Sequence, residues 1–296
     1  MTAHQNISVD GRTLTLDALQ AVAEGRARVA LAPEAADRMR ASRAVVERVV
    51  ASGAAVYGVT TGFGKMSDVR IPADKLSELQ VNLVRSHVCG VGPRLPKREV
   101  RAMMLLRANV LAAGFSGART DLAELLLGML NADLWPDVPE QGSVGASGDL
   151  APLAHLALSL IGEGELNGPN GRGPAAAILR AAGLGPVTLQ SKEGIALING
   201  TQAHTGISAL AVRDAQVIWD TAQVAGAATL DALLGTPVAF DERIHAERGQ
   251  DGQRVAAARL RALTDGSGIR ESHRTDRKST RLNSSHTDIS RMPSSA

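Results

Sequence analysis

Two glycine-rich segments interrupt a chain otherwise patterned for helices: residues 56–64 (VYGVTTGFG) and residues 142–149 (GSVGASGD). Gly-rich loops on a rigid scaffold carry chemistry more often than helix faces do. The familiar glycine motifs fail here on spacing. A phosphate loop needs Gly, four residues, then Gly-Lys-Ser/Thr. Val59 stands where its first glycine should be, and Met66 follows Lys65. A dinucleotide fingerprint needs Gly-x-Gly-x-x-Gly after a strand, whereas Gly142, Gly145 and Gly148 recur every third residue. A nucleophile elbow needs Gly-x-Ser-x-Gly. Around Ser147 the second glycine comes one residue early, and Asp149 takes its place. His245-Ala246-Glu247 does not make a His-Glu-x-x-His metal motif.

What remains is Ala146-Ser147-Gly148 in a crowded turn. Such a turn can press the amide nitrogen of Gly148 onto the carbonyl carbon of Ala146. Glycine suits the attacking position because a Cβ would obstruct the approach. Ala146 is small for the same reason, and Ser147 supplies a hydroxyl that can leave as water. The strain involved, roughly 1–3 kcal/mol per unusual dihedral, is of the kind stored at functional sites. Ala-Ser-Gly is nevertheless a common string, and in isolation an ordinary loop is the better account of it.

Helices separated by Gly and Pro must position these loops. Pro33 opens one that carries Met39, Val46, Val49 and Val50 and stops at Gly53. Pro72 opens the next, with Leu76, Leu79 and Leu83 on one face. Pro96 opens a third, with Val100, Met103, Met104 and Leu111, ending at Gly114. Leu122, Leu125, Leu126 and Met129 mark a fourth. Asp149 is placed to cap a fifth, whose first turn tolerates Pro152. After Gly200 an Ala-rich stretch runs to about Leu234 as one long helix, interrupted only by Gly226. Strand signals are weak, with Ile7–Val9 and Val187–Leu189 the candidates.

Of 296 residues, 44% are hydrophobic, 21% charged and only 2% aromatic. A core of Leu, Ala, Val, Ile and Met favours packed helices over a β-sandwich. The single cysteine, Cys89, excludes an internal disulfide and a paired-Cys zinc site, and reads as an inert buried thiol. No metal is expected. The net charge is +2, but residues 277–296 (RKSTRLNSSHTDISRMPSSA) contribute +3 of it, leaving −1 for the rest. The basicity gives no ground for nucleic acid or an anionic membrane as a partner. That terminal segment is expected to be disordered and foreign to the rest of the chain. The longest apolar stretch, 150–161, is broken by Pro152, His155 and Ser159. It falls short of the ~20 residues that span a bilayer, so a soluble, cytoplasmic protein is expected.

Residues 142–155 (GSVGASGDLAPLAH) closely resemble the signature of the aromatic amino acid ammonia-lyases. Residues 57–64 (YGVTTGFG) look like that family's catalytic tyrosine loop, and residues 83–90 (LVRSHVCG) like its substrate-selecting helix end. Phe115-Ser116-Gly117 and residues 193–202 (EGIALINGTQ) match further blocks. The similarity runs from about Thr13 to about His273. Ser86-His87 resembles the pair carried by the histidine-specific members of the family.

The resemblance implies a mainly α fold of ammonia-lyase/fumarase-like architecture. An N-terminal domain of minor β content, residues 1–200, would carry the tyrosine loop and the tripeptide. The start of a long-helix bundle would follow over 201–276, then the tail, 277–296. It implies that Ala146, Ser147 and Gly148 cyclise unaided into 4-methylideneimidazol-5-one, which takes the substrate's amino group, so that no external cofactor is needed. The implied reaction is conversion of L-histidine to trans-urocanate and ammonia, the first step of histidine degradation. By the same resemblance Tyr57 is the base for the β-proton, His87 with Ser86 contacts the substrate imidazole, and Asn199 donates to the ring carbonyl. A free tyrosine titrates near pH ~10, so Tyr57 would need nearby donors, and an alkaline optimum is expected. Asp149 is expected to cap its helix and organise the loop, and His155 to pack along its helix. Asn199-Gly200-Thr201 fits a glycosylation sequon, discounted for a cytoplasmic chain.

Family members are about twice this length and homotetrameric. The chain is therefore expected to be an N-terminal fragment with an exposed apolar face and little activity. Two alternatives stand beside this reading. One is a tyrosine or phenylalanine ammonia-lyase, or an aminomutase, of the same family. The other is a non-catalytic helical interaction module that never forms the ring.

Overall fold

The computed structural model describes residues 5–272, so the terminal segment 277–296 lies outside the described residues. The chain divides into two compact units, with the boundary between Arg213 and Asp214.

The first unit opens with a β-α-β turn. Strand β1 (Gln5–Val9) pairs in parallel with β2 (Ala27–Leu31) across helix α1 (Leu16–Ala23). Helix α2 (Pro33–Ser52) has Pro33 in its first turn, where the missing N–H costs nothing, and stops at Gly53 with φ +66°. After the tyrosine loop come α3 (Leu76–His87), β3 (Val91–Arg94), α4 (Lys97–Ala112) and α5 (Thr120–Asn131). Two short strands follow, β4 (Trp135–Pro136) and β5 (Pro139–Gln141), and then α6 (Leu150–Leu160). A hairpin of β6 (Glu165–Gly168) and β7 (Gly171–Pro174) leads to α7 (Ala175–Ala181) and the short α8 (Glu193–Ile198). Strand β3 pairs antiparallel with β5, and β4, β6 and β7 form a second antiparallel sheet.

Helices α4, α5 and α6 hold the core. Val100, Met103, Met104 and Leu111 are buried on α4, Leu122, Leu125, Leu126 and Met129 on α5, and Leu153, Leu156 and Leu160 on α6. The helix boundaries read from Pro and Gly stand, as does Ile7–Val9 as strand. Val187–Leu189 is not a strand. It is an irregular crossing in which Val187 donates to Leu160 O at 2.8 Å and Leu189 O accepts from Ser77 Oγ at 2.6 Å. Strands β3 and β7 went unpredicted because Gly and Pro fill them, in residues 91–94 (VGPR) and 171–174 (GRGP), whereas β2 (ARVAL) holds neither and was not singled out.

Two predicted apolar faces differ in their membership. On α3 the buried row is Leu76, Gln80, Leu83 and Val84, with Leu79 only half-buried. Gln80 earns burial by accepting from Gly194 N at 2.9 Å. On α2 the row is Ala35, Met39, Arg43 and Val46, with Val49 and Val50 half-buried. Arg43 is satisfied there by Gly117 O, Ser191 O and Gln190 Oε1.

Helix α9 (Gln202–Ala232) runs without a break through Gly226. Its first twelve residues belong to the first unit. The second unit holds the remainder, with α10 (Glu242–Ala246), α11 (Asp251–Thr264) and α12 (Gly268–Ser272). Within it Arg259 pairs with Asp220 at 2.8 Å, and Ser267 donates to Asp231 at 2.9 Å. Val217, Ile218 and Val224 of α9 are exposed. No helix among the described residues is long and apolar enough to cross a membrane.

Leu126 of α5 is fully buried in the core. Leu126→Ala is expected to cost roughly 2–5 kcal/mol, read as a lower midpoint of chemical denaturation. An unchanged midpoint would remove α5 from the centre of the core.

Candidate active site

The two glycine-rich loops do not stand alone. Each is fixed to the short stretch that runs from Gln190 through α8 to the start of α9.

The tripeptide precedes α6. Gly148 has φ +120°, and a Cβ built on it would lie 2.5 Å from Gly200 O and 3.0 Å from Gly200 C and N. No side chain fits there, and the backbone angle itself is one that L side chains rarely adopt. The next residue completes the contact, with Asp149 N donating to Gly200 O at 2.6 Å. Ala146 and Ser147 are exposed. The structure thus brings the tripeptide against Asn199-Gly200, two blocks some fifty residues apart in sequence.

Asp149 was expected to cap α6. It stands at that position, but its carboxylate makes no cap bond to the helix. It is fully buried and accepts instead from Ser143 Oγ at 2.8 Å, from His204 N at 2.9 Å and from His204 Nδ1. Its organising role is therefore exerted on the loop and on α9, because those donors reach a carboxylate that points away from its own helix.

Asn199 is the residue at which α8 ends, and its side chain is exposed. Its main chain is held from below by Arg107 of α4. Arg107 Nη1 donates to Ala196 O at 3.0 Å and Asn199 O at 3.3 Å, and Nη2 donates to Gln202 Oε1. Burial pushes the Arg107 guanidinium down to about 10, with the Asp149 carboxylate opposing that shift. It therefore remains a cation at neutral pH. At its other end α8 is anchored by Glu193, which is fully buried and accepts from Arg119 N, Nε and Nη2 and from Gln190 N.

The tyrosine loop is stapled at Val59, whose carbonyl accepts from Ser191 Oγ at 2.5 Å. Thr60 closes the loop internally, donating to Ala54 O at 2.6 Å and accepting from Val56 N at 2.8 Å. Tyr57 is 62% exposed, with its ring edge-to-face on Phe63 at 6.2 Å. The side chains of Tyr57, Ser147 and Asn199 make no hydrogen bond among the described residues.

Ser86 and His87 end α3. His87 Nδ1 lies 2.8 Å from Leu83 O, which can only accept, so Nδ1 carries the hydrogen and Nε2 is left with a free lone pair. Ser86 Oγ donates to the same carbonyl at 2.9 Å. The following segment packs on the tripeptide loop: a Cβ on Gly142 would lie 3.1 Å from Gly90 Cα. His155 of α6 accepts from Gly90 N at 3.2 Å through Nε2, so it joins its helix to this segment rather than only packing along it. Cys89 is exposed, against the expectation of a buried thiol, because the chain leaves α3 at Val88 and turns outward before β3.

The motifs did not single out Arg107, Glu193 or His204. Arg107 had a readable signal, a cation directly after the apolar run Met103-Met104-Leu105-Leu106 and one turn before Leu111. Glu193 and His204 had none, since their partners lie far away in sequence.

Residues 14–285 match the model of the aromatic amino acid lyase family. The chain belongs to that family. It is 54% identical over 276 residues to histidine ammonia-lyase of Anaeromyxobacter dehalogenans, covering 91% of this chain and 54% of the relative. With histidine ammonia-lyase of Myxococcus xanthus it shares 52% identity over 267 residues, covering 90% and 53%. Among solved structures, histidine ammonia-lyase from Trypanosoma cruzi superposes with a TM-score of 0.81 at 41% identity, over 90% of this chain and 52% of that one. Tyrosine aminomutase from Streptomyces globisporus superposes with a TM-score of 0.84 at 37% identity, over 98% and 54%. The chain spans about half the length of the curated relatives it matches. The mainly helical fold of the ammonia-lyases and aminomutases is thus shared by this chain.

His155 gives a pH-dependent outcome. Burial holds it below the usual imidazole range, with Arg94 adding and Asp137 opposing. Its Nε2 is an acceptor in the fold, so the folded chain resists protonation while the unfolded chain takes up a proton near pH ~6.5. Stability should therefore fall as pH drops below that value, toward the lower folded pKa. Thermal melts between pH 7.5 and 5 should show a smaller drop in His155→Gln than in the parent; equal drops would exclude this histidine as the cause.

Proposed function

We propose that the whole protein converts L-histidine to trans-urocanate and ammonia without oxidation, as the first step of histidine degradation. The observation that carries this reading is the Gly148–Gly200 contact, which leaves room only for glycine where the Ala-Ser-Gly ring closure needs an attacking residue without a Cβ. The residues present fit 4-methylideneimidazol-5-one: a small Ala146, an exposed Ser147 hydroxyl and a Gly148 already in an unusual bend. When formed, that ring supplies an electrophile that lets an amine depart.

The surrounding side chains have separate tasks. Tyr57, on its stapled loop, accepts the proton from the substrate's β-carbon as the Cα–N bond breaks and the double bond forms. His87, with Nδ1–H committed to Leu83 O, presents Nε2 as an acceptor for the N–H of a substrate imidazole. Ser86 steadies that arrangement by sharing the same carbonyl. Asn199 supplies an amide donor one residue from the Gly148–Gly200 contact, where negative charge can be stabilised. Arg107 holds the main chain of Asn199 in place.

Identity leans to histidine: the curated relatives at 50–54% are histidine ammonia-lyases, and among the solved structures a histidine ammonia-lyase stands at 41% against 37–40% for tyrosine aminomutases. The same reading carries a homotetrameric whole protein in the cytoplasm, in keeping with the exposed apolar side chains of α9.

Intact-protein mass spectrometry tests the ring. The folded chain should weigh two waters less than its sequence, and Ser147→Ala should weigh its full mass. A folded parent at full mass refutes the proposal and leaves a non-catalytic helical module. Selectivity is tested at His87. His87→Phe should lower kcat/KM for histidine by roughly ten- to a hundredfold and raise turnover of phenylalanine. Histidine kinetics untouched by that change would take His87 out of the binding site.

A further inference from the structure

His204, the third residue of α9, stands beside the tripeptide and has no part in the mechanism above. Its main-chain N–H donates to Asp149 Oδ2 at 2.9 Å, and its ring Nδ1 to Oδ1 of the same carboxylate. A carboxylate only accepts, so Nδ1 carries the hydrogen. One residue thus grips both oxygens of a fully buried acid. The other groups facing Asp149 are Ser143 of the loop, donating at 2.8 Å, and the Arg107 cation of α4. A Cβ on Gly145 would come 3.9 Å from His204 Cε1, so the imidazole lies along the loop itself. Asp149 in turn carries the N–H that meets Gly200 O at 2.6 Å, immediately after Gly148.

We propose that His204 is a positioning residue for ring closure: through Asp149 it holds Gly148 against Gly200 in the bend that cyclisation requires. The inference rests on the Ala-Ser-Gly reading above. In that reaction the Gly148 nitrogen bonds to the Ala146 carbonyl carbon. The Ala146 oxygen leaves as water with the amide hydrogens of Gly148 and Ser147. The Ser147 hydroxyl leaves as a second water with the Ser147 Cα hydrogen. His204 takes no covalent part. Its contribution is orientation, because an exposed loop left unheld would seldom bring nitrogen and carbon into line.

The test follows intact mass over time in the freshly synthesised chain, alongside circular dichroism to confirm folding. His204→Asn keeps an amide donor near the place of Nδ1, His204→Gln carries it one carbon farther out, and His204→Leu removes it. The asparagine variant should lose two waters at close to the parent rate, and the other two more slowly by roughly tenfold or more. Parent-like speed in His204→Leu overturns the proposal. Should that variant not fold, the contrast between asparagine and glutamine decides, and equal rates for those two overturn it. A parent chain that never loses water rejects the proposed function itself, a failure visible without any His204 variant.

Discussion

The carbonyl oxygen of Gly200 occupies the space that any side chain on residue 148 would need. That exclusion, together with the bond from Asp149 N to the same oxygen, fixes how the tripeptide loop meets the end of α8. The rest of the first unit can be understood as a means of keeping those two backbone segments pressed together. Helix α6 supplies one side of the contact and α8 the other, and both pack on α3. A bent backbone held this closely is stable only where its surroundings over-determine it. Here those surroundings are helices α3, α6 and α8, each in contact with the other two.

Charge does the second part of the work. Asp149 is a buried acid whose partners come from the loop, from α9 and, at longer range, from Arg107. Arg107 is a buried base that spends its hydrogen bonds on carbonyls of α8 and on Gln202. Neither group would tolerate burial alone, since an unpaired charge in such a place is strongly destabilising. The pair therefore commits α4, α6 and α9 to one relative arrangement around residues 196–204. Glu193 and Arg119 do the same at the other end of α8. A helix of six residues has little stability of its own, and these two ionic anchors explain how it can present Asn199 in a defined place.

The glycine-rich loops and helix boundaries were legible because their signals are local. Pro33, Gly53, Pro96 and Gly114 mark starts and stops through the conformations those residues allow or forbid. The glycine-rich strings stand out against a helical background without reference to anything distant. Gln80 and Arg43 were absent from the predicted buried rows for the opposite reason. A polar residue in a buried row is acceptable only when a partner reaches it, and their partners, Gly194 and Ser191, lie more than a hundred residues away. Cys89 was misjudged because thiols are usually buried, while the turn out of α3 exposes this one. The short strands were hidden by glycine and proline, residues that argue against strands in general but suit edges and hairpins.

By itself, the order of residues determined where the longer helices of the first unit run, where the Ala-Ser-Gly tripeptide lies and which family it matches, since each of these follows from nearest-neighbour conformational preference or from the string itself. Only the tertiary structure decided that Asp149 serves the loop and α9 rather than its own helix, that Arg107 underlies Asn199, and that Gly148 must be glycine because another backbone is already there. Those are statements about burial and about partners distant in sequence. A carboxylate, a guanidinium or a missing Cβ acquires its meaning from the groups that surround it, and folding is what brings those groups together.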